Sequence, residues 1–250
     1  CVRFENAASA EEQIAAYQDF EELSKDVMTN LTIASIRHTV DTRDEFYNAE
    51  NDFSDEAGPQ IEEMFQKFNQ ALLASKFRPE LEKHYGTLIF KKAEISARAF
   101  SPEILDLMQE ENQLASQYQK LYASGMVEFR GEKLPLPKLG PYMESPDRAT
   151  RREAYAARAS FFEANRAELD ELYGKLIRCR NEQGRRLGHK NYIQLGYDRL
   201  GRNCYTPEDV AAFREQIARD MVPIVAERKQ AQKERIGVDR ICLYYDNFLF

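Results

Sequence analysis

The sequence predicts a mostly α protein, an elongated multi-helix bundle carrying one short β-hairpin at about residues 126–136. Three observations predict it. Apolar residues recur at intervals of three and four along most of the chain, the spacing of one helix face. Helix-start signals (Ser9-Ala-Glu-Glu12, Ser101-Pro-Glu103, Ser145-Pro146 and Thr206-Pro207) stand at the heads of those runs. A single short run, Met126 to Phe129, alternates instead, and a turn and an extended Leu134-Pro-Leu-Pro137 follow it.

The elements follow in order. Ser9 and Glu12 form a capping-box pattern, and Ile14, Tyr17, Phe20, Val27 and Leu31 continue a helical spacing that is read as two helices ending near Thr39 to Thr42. A second pattern opens around Asp44. Gly58-Pro59 is expected to break or kink it, because proline lacks a helical donor and glycine is a poor helix former. It resumes with Ile61, Phe65, Phe68 and Leu72. Pro79 opens a helix with Leu81, Tyr85, Leu88, Ile95 and Ala99 as its inner face. The next runs through Ile104, Met108, Glu111, Ala115, Tyr118 and Tyr122. Glu111 interrupts that stripe, and a buried carboxylate is costly unless paired, so it should meet an arginine or lie at the stripe's edge.

Arg130-Gly131-Glu132 makes the turn, and the prolines beside it suit an edge strand. From Arg148 to Leu187 the pattern predicts one helix of roughly 40 residues, or two collinear ones, about 60 Å long. A loop ending at Thr206 precedes a last helix marked by Val210, Phe213, Ile217, Met221, Ile224 and Val225, with a kink one turn before Pro223. Gly237 ends it. Ile241 to Tyr245 reads as extended, and the apolar Asn247 to Phe250 reads as a cut edge prone to self-association. Three regions result: a helical region 1–124, the hairpin insertion 125–141, and a long-helix region 142–250.

Composition bounds the function. The chain has 250 residues and a net charge of −7, which disfavours a general nucleic-acid binder. No run approaches the about 18 consecutive apolar residues of a membrane span. Cys1, Cys179, Cys204 and Cys242 lie far apart, without metal-ribbon or disulfide-framework spacing, and suit reduced thiols in a cytoplasmic protein. Charge is uneven: residues 1–60 hold 14 acidic against 4 basic residues, and residues 178–204 hold 7 basic against 2 acidic. Either helix packing or a site for an anionic group would account for that contrast.

No catalytic constellation is visible. His38, His84 and His189 have no histidine four residues away and no glutamate three residues before them. That leaves neither H-E-x-x-H nor half of a di-iron site. No phosphate loop or EF-hand loop is present. The catalytic and metal residues of this chain are therefore read as none. The remaining candidate is the aromatic and basic loop, where Arg199 and Arg202 could clamp a carboxylate and Tyr197 and Tyr205 could line a wall. The competing reading packs the tyrosines between helices and pairs the arginines with acidic helices.

Several stretches resemble one family. They are Ala34-Ser-Ile-Arg-His-Thr-Val-Asp-Thr42, Asp44-Glu-Phe-Tyr47, Ala71-Leu-Leu-Ala-Ser-Lys-Phe77, Phe100-Ser-Pro-Glu-Ile104 and Glu111-Asn-Gln-Leu114. Further along come Phe129-Arg-Gly-Glu132, Leu187-Gly-His-Lys-Asn-Tyr192, Gly196-Tyr-Asp-Arg199, Val210-Ala-Ala-Phe-Arg214 and Val222-Pro223. In this order they are similar to the N-terminal half of oligoendopeptidase F-type zinc metallopeptidases, in the thimet-oligopeptidase-like superfamily.

That resemblance implies a channel-containing helical metallopeptidase that cuts short peptides internally with one zinc. Its H-E-x-x-H and downstream glutamate lie in a C-terminal half that these residues do not include. The chain is then expected to bind no cofactor itself and to be inactive alone. The parent's zinc and the absent catalytic domain complete the enzyme, and short peptides are its substrates. Whether this chain is itself an enzyme stays open, and the alternative is a non-enzymatic helical interaction module.

Overall fold

The structure is a computed structural model that describes residues 1–245. The expectation for Asn247 to Phe250 lies outside the described residues. The helices are α1 (Val2–Glu5), α2 (Ala10–Val40), α3 (Glu45–Leu73), α4 (Arg78–Tyr85), α5 (Leu88–Arg98) and α6 (Leu105–Ala123). Strands β1 (Met126–Phe129) and β2 (Glu132–Pro135) follow, then α7 (Gly140–Met143), α8 (Arg148–Ala164), α9 (Arg166–Arg186), α10 (Tyr192–Arg199), α11 (Pro207–Gln216) and α12 (Val222–Ile236). The fold is mostly α with one two-stranded antiparallel sheet.

The chain divides into two compact units, one of residues 1–120 and 172–204, the other of residues 121–171 and 205–250. This grouping joins segments distant in sequence.

In the first unit the core gathers Phe4, Ala16, Phe68, Leu72, Leu81, Phe90 and Ala93. Phe20 stacks on Phe68 with ring centroids 3.7 Å apart, and Phe4 meets the same ring at 5.1 Å. Ser9 caps α2 by accepting from the Glu12 amide at 3.3 Å, and Glu12 reaches back to the Ala8 amide at 2.7 Å. Local chemistry and tertiary packing thus agree at this end.

Helix α3 runs through Gly58-Pro59 without the break that is one of the two expectations there. Pro59 cannot donate to the Asp55 carbonyl one turn back. The side chain of Asn112 donates to that carbonyl at 3.3 Å, and Gln109 donates to the Glu56 carbonyl at 2.9 Å. A donor from α6 thus satisfies the Asp55 acceptor that the proline leaves unserved, and the helix continues. The reverse occurs at Gly86, which takes φ +81° and splits the predicted Pro79–Ala99 helix into α4 and α5. Leu81, Phe90, Ala93 and Ile95 are buried there, while Leu88 is exposed. The buried face of α6 is Leu107, Leu114 and Ser116, rotated from the predicted stripe, and Tyr118 is exposed.

In the second unit β1 and β2 pair with Val127 opposite Leu134 and Phe129 opposite Glu132. Arg130 at φ 54° and Gly131 at φ 83° make the tight turn, and both residues of such a hairpin need positive φ. Val127, Phe129, Leu136, Leu139, Ala154 and Phe161 form its core. The long predicted helix divides at Asn165 into α8 and α9. The Asn165 side chain donates to the Phe161 carbonyl at 2.8 Å, one turn back in α8.

A π-helical turn, Ile217–Met221, precedes Pro223, at the expected position of the kink. The missing proline donor is thus absorbed by a widened turn. Gly237 closes α12 in the left-handed conformation. Phe213, Met221, Ile224 and Val225, whose spacing marks this helix in the sequence, are exposed. No described residue of α11 or the π turn is buried. The segment Leu243–Tyr245 is a 3₁₀ turn rather than extended chain. Arg151 Nε donates to the Tyr244 carbonyl at 2.8 Å.

Candidate functional site

Within the first unit, the turn between α9 and α10 is built by small, local requirements. Gly188 takes φ +83° after α9, so that His189 N–H donates to the Gly184 carbonyl at 2.9 Å. Asn191 then caps α10 by accepting from the Ile193 amide at 3.0 Å, and the Asn181 side chain accepts from the Tyr192 amide at 3.1 Å. The two segments approach so closely that a Cβ on Gly184 would lie 2.5 Å from the Asn191 carbonyl oxygen. Only glycine fits there.

That turn aims α10 at Glu111. Arg180 Nε donates to Glu111 Oε1 at 2.6 Å, and Arg199 Nη1 and Gln183 Nε2 donate to Oε2 at 2.8 and 2.9 Å. Arg199 Nη2 also donates to Gln183 Oε1. The guanidinium carbons of Arg180 and Arg199 each lie 5.7 Å from the centre of the Tyr192 ring. Below this cluster, the Cys179 thiol donates to the Leu107 carbonyl at 3.1 Å.

Burial works to raise the pKa of Glu111. The Arg180 and Gln183 hydrogen bonds and the charge of Arg199 outweigh it, and the carboxyl is held below its ordinary value. Burial pushes the Cys179 thiol up, which makes it a poor nucleophile. The expected pairing of Glu111 with arginine is present twice over.

The four loop residues fare differently. Arg199 is engaged by Glu111 and Gln183. Arg202 lies over the Tyr197 ring, 4.1 Å from its centre, and its amide donates to the Tyr197 carbonyl at 3.2 Å. Tyr205 begins the second unit's second segment, ahead of the Thr206 cap of α11. There the Asp209 amide donates to Thr206 Oγ1 at 3.2 Å, and the Thr206 amide donates back to Asp209 Oδ2 at 2.8 Å.

Beside the Glu111 cluster lies a cavity of about 560 Å³, lined among others by Pro59, Glu62, Ile95, Phe100, Met108 and Asp198. Asp198 was not singled out from sequence. It is 5% exposed; its Oδ1 accepts from Gln194 at 3.2 Å, and Oδ2 has no hydrogen-bond partner. The only sequence signal was its place in Gly196-Tyr-Asp-Arg199. Among the described residues no three His, Cys, Asp or Glu side chains gather as a metal would require. The donor set present does not fit a zinc ion.

The comparisons with known proteins bear on what this scaffold is. Residues 1–100 match the family described as the peptidase M3 N-terminal domain, and residues 141–246 match peptidase family M3. The chain belongs to peptidase family M3. Among solved structures, it is 42% identical to a chain assigned as oligoendopeptidase F, with a TM-score of 0.95 over 99% of this chain and 44% of that one. The same figures hold for PZ peptidase A, solved with an inhibitor. An oligoendopeptidase F assignment from Bacillus anthracis strain Ames is 39% identical at TM-score 0.95, covering 99% of this chain and 46% of that one. This M3 chain therefore spans less than half the length of those structures. No curated protein matches it. No described helix is long and apolar enough to cross a membrane.

Proposed function

We propose that these residues form the channel-wall portion of a zinc-dependent oligopeptidase that cuts short peptides internally. The observation that carries the reading is the match at 42% identity and TM-score 0.95, spread over 99% of this chain but only 44% of a chain assigned as oligoendopeptidase F. In that reading one zinc and its H-E-x-x-H ligands belong to sequence that these residues do not include. The partner of this segment is its own catalytic half, and the enzyme works in the cytoplasm on peptides rather than on nucleic acid.

The division into 1–124, 125–141 and 142–250 is part of the same proposal. So are peptide contacts by Tyr197, Arg199, Arg202 and Tyr205. Arg199 is already held by Glu111 and Gln183, which would have to yield for it to contact a peptide.

Two measurements test this. The 250-residue chain, supplied with zinc and a quenched-fluorescent peptide, is expected to show no cleavage that a chelator abolishes. Chelator-sensitive cleavage would overturn the claim of inactivity. The gene is expected to continue past Phe250 into H-E-x-x-H. A stop codon there would overturn the peptidase reading and favour the helical interaction module.

A further inference from the structure

The helical segment of residues 207–236 passes from α11 through the π turn into α12 without a gap, and every residue from 212 to 228 is exposed. Among the described residues of this segment only Gln232 is buried. Helices in folded proteins draw most of their stability from packing an apolar face, so an uncovered span of this length is an exception. The apolar face exists. Phe213, Ile217, Met221 and Ile224 follow one another at intervals of four, four and three residues, which puts them on one side of the helix, and all four are exposed.

The stripe and the charges around it share one centre. Ile217 and Met221 are the two ends of the π turn, and Phe213 and Ile224 lie six residues before and five after its middle. The charges divide at the same place. Residues 206–220 hold four acidic and two basic side chains, and residues 221–236 hold two acidic and four basic. Asp209 flanks the stripe at the acidic end and Arg228 continues it at the basic end, ten residues before the middle and nine after. A face with this symmetry is complementary to its own reverse. In an antiparallel pair with a twofold axis at the π turn, Phe213 meets Ile224, Ile217 meets Met221 and Asp209 faces Arg228, each contact occurring twice. A parallel pair sets acid beside acid and base beside base, and charges flanking a helix seam select against that.

We infer that α11 and α12 form a homodimer interface, on which a second copy of this chain packs antiparallel with the twofold axis at the π turn. The inference rests on this helical segment and not on the peptidase reading. Sequence outside these residues is the competing occupant of the stripe, and nothing about that occupant requires the apolar residues and the charges to share one centre.

The test is sedimentation velocity on the 250-residue chain over a concentration series at low ionic strength. The native chain is expected to pass from monomer to dimer and to stop there. Arg228→Glu, at an exposed position, sets acid against acid twice over and should raise the dimer dissociation constant at least about fivefold. Asp209→Arg should do the same, although it also removes one half of the capping box of α11. Mixing the two variants separates charge from cap. In the mixed pair both charge contacts are attractive again, so the equimolar mixture should dimerise more tightly than either variant alone, with the weakened cap still present. A native chain that stays monomeric at every concentration would overturn the inference and leave the stripe to sequence outside these residues. Association that continues past a dimer, a dissociation constant unchanged in Arg228→Glu, or a mixture no tighter than its components would each overturn the antiparallel pairing.

Discussion

Arg199 Nη1 lies 2.8 Å from Glu111 Oε2, joining residues 88 apart in sequence. Arg180 and Gln183 hold the same carboxylate from α9. The arrangement ties α6, α9 and α10 into one corner of the first unit, so its first consequence is for stability. The Glu111 side chain is 13% exposed, and removing its charge leaves two arginines partly buried without their counter-ion. Glu111→Gln is expected to cost about 2 kcal/mol at pH 7 by denaturant unfolding. A change below about 0.5 kcal/mol, the range of an ordinary surface substitution, would show that the cluster is not holding the corner.

The same group sets a pH dependence. The folded carboxyl of Glu111 is held below its ordinary value, which for an unfolded glutamate is about 4.3. A depressed carboxylate contributes stability that is complete above the unfolded value and is lost as pH falls through the folded one. The stability gap between the native sequence and Glu111→Gln should therefore be constant from pH 7 to about 5 and shrink below about 4. Unfolding midpoints at pH 7, 5 and 3 measure it. A gap that widens toward acid would contradict the assignment.

Two glycines of α9 give opposite expectations for one substitution. Alanine in an open helix position gains about 1 kcal/mol over glycine. At Gly174 the added Cβ would meet only the far end of the Arg178 side chain, at 3.2 Å, which can move aside. At Gly184 it would meet the Asn191 backbone at 2.5 Å, which cannot. Gly174→Ala should raise the thermal midpoint, and Gly184→Ala should cost about 2 kcal/mol and loosen the α9–α10 turn. The sign difference between them is the readout.

Sequence reasoning succeeded where a rule is local. Ser9, Thr206 and Gly237 bracket helices because their side chains or their lack of one act within a single turn, and Arg130-Gly131 turns the hairpin in the same way. It failed where distant residues decide. Gly58-Pro59 read as a break or kink, since nothing nearby shows that Asn112 will serve the stranded Asp55 carbonyl. Apolar periodicity located α11 and α12 but could not say whether anything covers their apolar residues. Asp198 is one of 42 acidic residues, and only its burial sets it apart.

The proline in α3 can be tested as a cycle. Asn112→Ala removes the donor to the Asp55 carbonyl and should cost about 1 kcal/mol. In a Pro59→Ala background the backbone amide restored at that position can serve the carbonyl itself, so Asn112→Ala should then cost about half as much. A coupling of about 0.5 kcal/mol between the two sites supports the compensation, and strict additivity would refute it.

Phe213 is 61% exposed and Met221 is 51% exposed, on a helical segment with no described buried residue before α12. Burial normally makes a phenylalanine to polar change costly, by about 3 kcal/mol or more. Here Phe213→Gln with Met221→Gln is expected to change unfolding free energy by no more than about 0.5 kcal/mol per site. An uncovered apolar stripe also favours association between copies, since burying it removes apolar area from water. The double variant should sediment as a smaller species than the native chain at high protein concentration. A large stability loss would mean that the stripe packs within the unit. Unchanged sedimentation would mean that these residues do not drive association.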